Sequence, residues 1–148
     1  MRAAGVLLIA VIGTAASFGG TSRIVASWKL TPGVVNRAVT QRTIARTICV
    51  HGWTRTVRPP ASYTNRLKLI QMRQYHEAGS PSRYEEDHLI PLELGGHPTN
   101  PKNLWPEPHP RADAVDQIET ALKRQVCRGM LTLAQARRRI SLLKHTRG

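Results

Sequence analysis

The stretch Glu86-Asp87-His88-Leu-Ile-Pro-Leu-Glu-Leu-Gly95-Gly96-His-Pro-Thr-Asn-Pro-Lys-Asn103-Leu104-Trp105 decides how this chain is read. A carboxylate and an imidazole stand side by side on an extended run, Asp87 to Leu94. Strand neighbours point to opposite faces, so one of the two can hold a metal while the other meets a substrate. Gly95-Gly96 opens a loop that returns the chain, and Asn103 arrives fifteen residues after His88. Its side-chain amide has the donors and acceptors to bridge two backbone stretches and fix that loop. Prolines at 106, 108 and 110 are expected to end the second stretch, and a helix from Arg111 can add a further ligand. Strand, loop, strand, helix is the order that a hairpin-plus-helix metal site needs.

Working outward, the helix from Arg111 carries Val115, Ile118, Leu122 and Val126 on one stripe and ends at Gly129, a C-terminal glycine. Thr132 and Gln135 have capping-box spacing and open a last helix with Leu133, Ala136, Ile140 and Leu143 inward. Arg137, Arg138 and Arg139 decorate its other sides, as a solvated face or as a phosphate clamp. Upstream, Ser62 is predicted to cap a helix running to about Glu77, with Tyr63, Leu67, Ile70 and Gln74 along one face, broken at Gly79 to Pro81. Thr47-Ile-Cys-Val50 reads as a short strand, and residues 23–46 as a poorly structured lead-in. Trp53 and Trp105 are expected as core anchors, Glu85 and Glu86 as a solvated acidic edge or, for either one, a group orienting His88, and Glu119 as a helix-face charge or a group supporting the site. His51, His76, His97 and His145 have no partner pattern.

Charge narrows the function classes. The chain has 22 Lys+Arg against 9 Asp+Glu and a formal net charge of +13. A chain this basic meets polyanions; nucleic acid is the commonest, and an anionic membrane or envelope polymer attracts it too. All the acids lie between Glu77 and Glu119. Where negative charge is otherwise excluded, carboxylates beside histidines invite a metal-site reading.

Arg2 is followed by an uncharged run from Ala3 to Ser22 with an apolar centre, Gly5 to Ile12, and small residues after it. That is the layout of a secretory signal over residues 1–22, with cleavage after Ala16 or Gly19, and it points to a secreted or periplasmic protein. A retained membrane anchor is the other reading, although a span needs about 20 apolar residues and the second half of this run is dilute. Cys49 and Cys127 form an isolated pair, read as one disulfide in an oxidising compartment, or else as two buried thiols.

The central block resembles the HNH endonuclease family, whose ββα-metal motif reads D-H-x-x-P…G-G…N-L. It is similar in particular to small exported bacterial HNH-like proteins. That likeness extends through Ile48-Cys49-Val-x-Gly52-Trp53-Thr54, Val57-Arg-Pro-Pro60, Ser62-Tyr-Thr64, Asn103-Leu-Trp-Pro-Glu107 and Val126-Cys127-x-Gly129, roughly residues 47–140. It implies an α+β domain over residues 47–148 with a ββα-metal core and additional helices. It implies His88 as the general base, Asp87 as the first metal ligand, and Asn103 as the residue orienting loop and base. The family places a histidine or asparagine early on the following helix, where Ala112 and Asp116 stand here. Asp116 is chemically able to bind Mg²⁺ or Mn²⁺, which prefer oxygen, with Zn²⁺ a third choice. His109 is closer in type but precedes the helix. The function implied is a divalent-metal nuclease cutting DNA, or RNA, with no small-molecule cofactor and no membrane contact beyond an uncleaved N-terminus. The altered helix position motivates a second reading, a catalytically inactive nucleic-acid-binding protein. The charge motivates a third, a cationic cell-envelope protein.

Intact mass of the secreted protein, with and without reductant and alkylation, is expected to show cleavage within residues 16–22 and one bridge; two free thiols would remove the disulfide.

Overall fold

Two short strands carry the quoted block. β1 (Tyr84–His88) pairs antiparallel with β2 (Leu104–Pro108), with Asp87 opposite Trp105 and His88 opposite Leu104. The computed structural model describes residues 25–147, so the expected signal or anchor at 1–22 lies outside the described residues. Among those residues the fold is α+β, with four α-helices and this one two-stranded sheet.

Both strands depart from expectation. β1 starts earlier and ends at His88, because Leu92–Leu94 wind into a 3₁₀ turn in place of extended chain. β2 runs through Pro106 and Pro108. Hydrogen bonds from Leu89 N to Asn103 O (2.8 Å) and from His109 N to Arg83 O (2.9 Å) flank the ladder. With that register both prolines fall opposite non-hydrogen-bonded partners, Glu86 and Tyr84. Their missing N–H groups therefore cost the ladder nothing.

The remaining elements enclose the hairpin. α1 (Trp53–Val57) and α2 (Ala61–Gln74) precede it, α3 (Arg111–Cys127) and α4 (Leu133–Thr146) follow, and α2 packs on both strands while α3 packs on α4 and on β2. α2 begins after Pro60 rather than at Ser62, and buries Leu67, Gln71 and Met72, leaving Ile70 exposed. Gln71 Nε2 donates to the Pro101 carbonyl, so the buried face includes a polar anchor that the expected stripe does not contain. Residues 47–50 turn rather than extend, with Cys49 N bonded to Ile44 O and Val50 N to Thr47 O.

The C-terminal half follows its pattern closely. The capping box at Thr132 and Gln135 is present, and Leu133, Ala136 and Ile140 are buried. Gly129 takes a left-handed conformation (φ 74°) after α3. On α3 Ile118 is exposed and Glu119 takes the inward place. Residues 25–46 carry little regular structure yet are tied in: Ala26 N donates to Lys144 O, Val35 bridges to Gly96, and Val39 is buried in the main core. Cys49 and Cys127 are bridged across 78 positions of sequence, a closure that contributes about 4–5 kcal/mol in the chain-entropy account. No helix among the described residues is long and apolar enough to cross a membrane.

The arginine cluster divides. Arg137 donates to the carbonyls of Leu94 (2.8 Å), Val39 (3.0 Å) and Gly95 (3.3 Å), so its guanidinium is committed to the fold. Arg138 and Arg139 are exposed. Arg137→Ala is expected to lower unfolding stability by about 2–4 kcal/mol, because charge-assisted hydrogen bonds are lost and buried carbonyls are left without donors. Arg138→Ala should stay within about 0.5 kcal/mol. Equal urea midpoints for the two variants would refute this division.

Candidate functional site

Asn103 is fully buried and all its hydrogen-bonding capacity toward the backbone is used. Oδ1 accepts from Val34 N (3.1 Å) and Ile90 N (3.0 Å). Nδ2 donates to Ile90 O and His97 O, both at 3.0 Å. One amide thereby joins the end of β1, the returning loop and the segment before Val35. The turn is tight enough that a Cβ on Gly96 would lie 1.7 Å from the Ile90 carbonyl oxygen. Only glycine fits there.

His88 is held by that loop. Its Nε2 lies 2.9 Å from the Pro98 carbonyl oxygen, and because a carbonyl only accepts, Nε2 carries the proton. Nδ1 then presents its lone pair, and no described residue pairs with it. Burial lowers the His88 pKa, against the Pro98 bond and Asp87, which raise it. The ring is therefore neutral around pH 7 and able to take a proton.

Asp87, on the opposite face of β1, joins two carboxylates of α3. Oxygens of Asp87, Asp116 and Glu119 lie within 4.8 Å of one another. Asp116 and Glu119 are one helical turn apart, and Asp116 is exposed where Asp87 and Glu119 are buried. An all-oxygen set of this kind suits Mg²⁺ or Mn²⁺ and offers Zn²⁺ none of its preferred nitrogen or sulfur ligands. A separate group, Glu85, His109 and Asp113, sits nearer the start of α3, so His109 does not join Asp87.

The inner side of the cluster is occupied by a lysine. Lys144, fully buried on α4, makes an ion pair with Asp87, lies 2.6 Å from Glu119 Oε1 and 3.6 Å from Glu107 Oε2, and donates to the His88 carbonyl at 2.8 Å. Burial pulls its pKa down, but Asp87 and Glu119 outweigh that and the net shift is upward, which keeps the ammonium charged. Glu107 also pairs with Arg111, whose guanidinium lies 5.4 Å from the centre of the Trp105 ring.

Two clefts meet at His88. One, of about 460 Å³, runs along α2 and includes Arg58, Asn65, Lys68 and Glu86; the other, of about 230 Å³, includes Arg58, Asp87, Asp116 and Glu119. Arg58 is exposed and borders both. Glu86 is buried rather than solvated, and neither carboxyl oxygen has a partner among the described residues. Burial pushes its pKa up to about 8, against the pull of Lys68 and with Asp87 adding to the rise.

The structure thus brings Asp87, His88, Asn103 and Asp116 together and leaves Arg137, Arg138 and Arg139 outside both clefts. Sequence reasoning missed Arg58 and Lys144 and took Glu86 for a solvated edge; of its two readings of Glu119, a helix-face charge or a group supporting the site, burial beside Asp87 and Asp116 agrees with the second. Glu119 and Lys144 each interrupt the inward stripe of a helix, and two opposite charges doing so is a legible signal of a buried pair. His145, read as incidental, is buried, stacked on Trp28 at 3.5 Å and bonded through Nε2 to the Thr31 carbonyl. No protein-family model, curated protein or solved structure matches this chain.

Asn103→Ala is expected to destabilise the fold by about 3 kcal/mol or more, since two buried and two partly buried backbone groups lose their partner. Asn103→Asp should rescue little, because a carboxylate cannot donate to the Ile90 and His97 carbonyls. Chemical denaturation of both variants checks this; a near-native Asn103→Ala would refute it.

Proposed function

We propose that this protein is a divalent-metal-dependent nuclease of the HNH type, hydrolysing phosphodiester bonds of DNA, or of RNA, outside the cytoplasm. The observation that carries the reading is the tautomer of His88: Nε2 is held by the Pro98 carbonyl, which leaves Nδ1 as the basic nitrogen of a residue that lines one cleft with Asp87 and Asp116. His88 Nδ1 takes a proton from water as the water oxygen attacks phosphorus, and the bond to the leaving oxygen breaks. Asn103 holds the loop that aims the imidazole. Asp87, Asp116 and Glu119 would hold the cation, whose contribution is to neutralise charge on the phosphate and the leaving oxygen. Arg58, at the junction of the clefts, faces the phosphate, and the net charge of +13 draws the polyanion in. The strand–loop–strand–helix order around the site supports the HNH assignment.

A second reading, a nucleic-acid-binding protein without turnover, is favoured by one observation: Lys144 already compensates Asp87 and Glu119.

Plasmid nicking with Mg²⁺, Mn²⁺ or chelator tests the pair. His88→Ala is expected to slow nicking by about 100-fold or more while Mn²⁺ binding is retained. Asp87→Ala and Asp116→Ala should instead weaken cation affinity, with partial recovery at high metal. Full chelator-sensitive nicking by His88→Ala would overturn the assignment of the base. A wild-type protein that binds DNA in a salt-dependent way but never cuts it hands the site to the second reading.

A further inference from the structure

The acid cluster beside His88 already contains a cation, and that cation belongs to the chain. Lys144 has no solvent exposure; its ammonium donates to Asp87 Oδ2 and to the His88 carbonyl, and it lies 2.6 Å from Glu119 Oε1 as an ion pair, with Glu107 behind. A small positive charge surrounded by oxygens from four positions is the arrangement in which proteins hold a metal ion. We propose that Lys144 is a resident cation filling the inner half of the Asp87–Asp116–Glu119 cluster. It confines the cluster to a single exchangeable divalent ion on the cleft side and holds that ion's affinity down. The inference rests on the metal reading of the site and adds what sets its stoichiometry and affinity.

Three observations carry it. The cluster has an inside and an outside: Glu119 is buried against Lys144, whereas Asp116 is exposed at the cleft. Asp87 spans the two, with Oδ2 taken by Lys144 and its other oxygen left over. The cleft is also lined by Glu86, a buried carboxyl with no partner among the described residues, so it holds oxygen donors that the lysine does not engage. A monovalent charge a few ångströms from a divalent ion repels it, and at the effective dielectric of a protein that weakens binding by more than about tenfold. A merely structural lysine predicts lost stability on removal. A resident cation predicts gained affinity for metal, the opposite of a damaged site.

The test is calorimetric titration of the full chain with Mn²⁺ alone, without nucleic acid, on the wild type, on Lys144→Met and on Lys144→Met/Glu107→Gln, which keeps Asp87, Asp116 and Glu119 in place. The double variant removes one charge of each sign and so keeps the cluster's charge balance if the single variant fails to fold. Circular dichroism and the intact disulfide define the folded state. The wild type is expected to bind at most one Mn²⁺, weakly. The folded variants should bind Mn²⁺ at least about tenfold more tightly, and Mn²⁺ should raise their thermal midpoint more than that of the wild type. Adding Asp87→Asn to either variant should abolish the gain. Unchanged Mn²⁺ affinity in a folded variant, or no Mn²⁺ binding by any of the proteins, overturns the proposal. A wild type that neither binds Mn²⁺ nor cuts DNA, beside variants that do bind it, retires the nuclease reading and leaves the resident cation standing.

Discussion

A lysine ammonium shut away from water keeps its charge only where oxygens replace its hydration, and the structure is arranged around that requirement at Lys144. The oxygens come from Asp87 and His88 on β1, Glu107 on β2 and Glu119 on α3, while the lysine comes from α4. Both strands and both C-terminal helices are thereby keyed to one point. Losing one partner of such a group leaves a buried charge uncompensated, at a cost of about 3–5 kcal/mol, so the elements cannot slide past one another cheaply. The backbone of Lys144 extends the tie, its carbonyl accepting from Ala26 N.

A neutral device works at the loop end of the hairpin. Asn103 satisfies four backbone groups at once, and through the Pro98 carbonyl the loop it holds fixes which nitrogen of His88 bears the proton. The acids are positioned by charge and the imidazole by hydrogen bonds to uncharged groups. Alternation along β1 keeps the two systems apart while adjacent residues supply them.

The central block was legible because its residue types are rare in combination and its spacing matches a hairpin. The strand alternation of Asp87 and His88, the bridging role of Asn103, the proximity of Asp116 to Asp87 and the disulfide all emerge as the residues suggested. What stayed hidden depends on the partner across the core. An apolar-stripe reading passes over Glu119 and Lys144 because each looks unfavourable alone, and they are acceptable only together. Pro106 and Pro108 look like strand breakers until the register shows that their nitrogens face away from β1. Residues 25–46 look unstructured because their order comes from bonds to distant segments rather than from local periodicity. Arg137 is indistinguishable in sequence from Arg138, and only the carbonyls of Leu94, Val39 and Gly95 separate them.

The chain order of the Lys144 contacts bears on how the molecule is made. Asp87, Glu107 and Glu119 all precede the lysine, which closes its contact with Asp87 across 57 positions. During vectorial synthesis three carboxylates therefore emerge before the amine that makes their burial tolerable. A partly synthesised chain gains little by drawing the hairpin and α3 together, because Arg111 serves Glu107 alone and Asp87 and Glu119 would enter an apolar interior without a counter-charge. Closure around this point awaits α4, and a contact of such long range slows folding relative to what the short helices alone suggest.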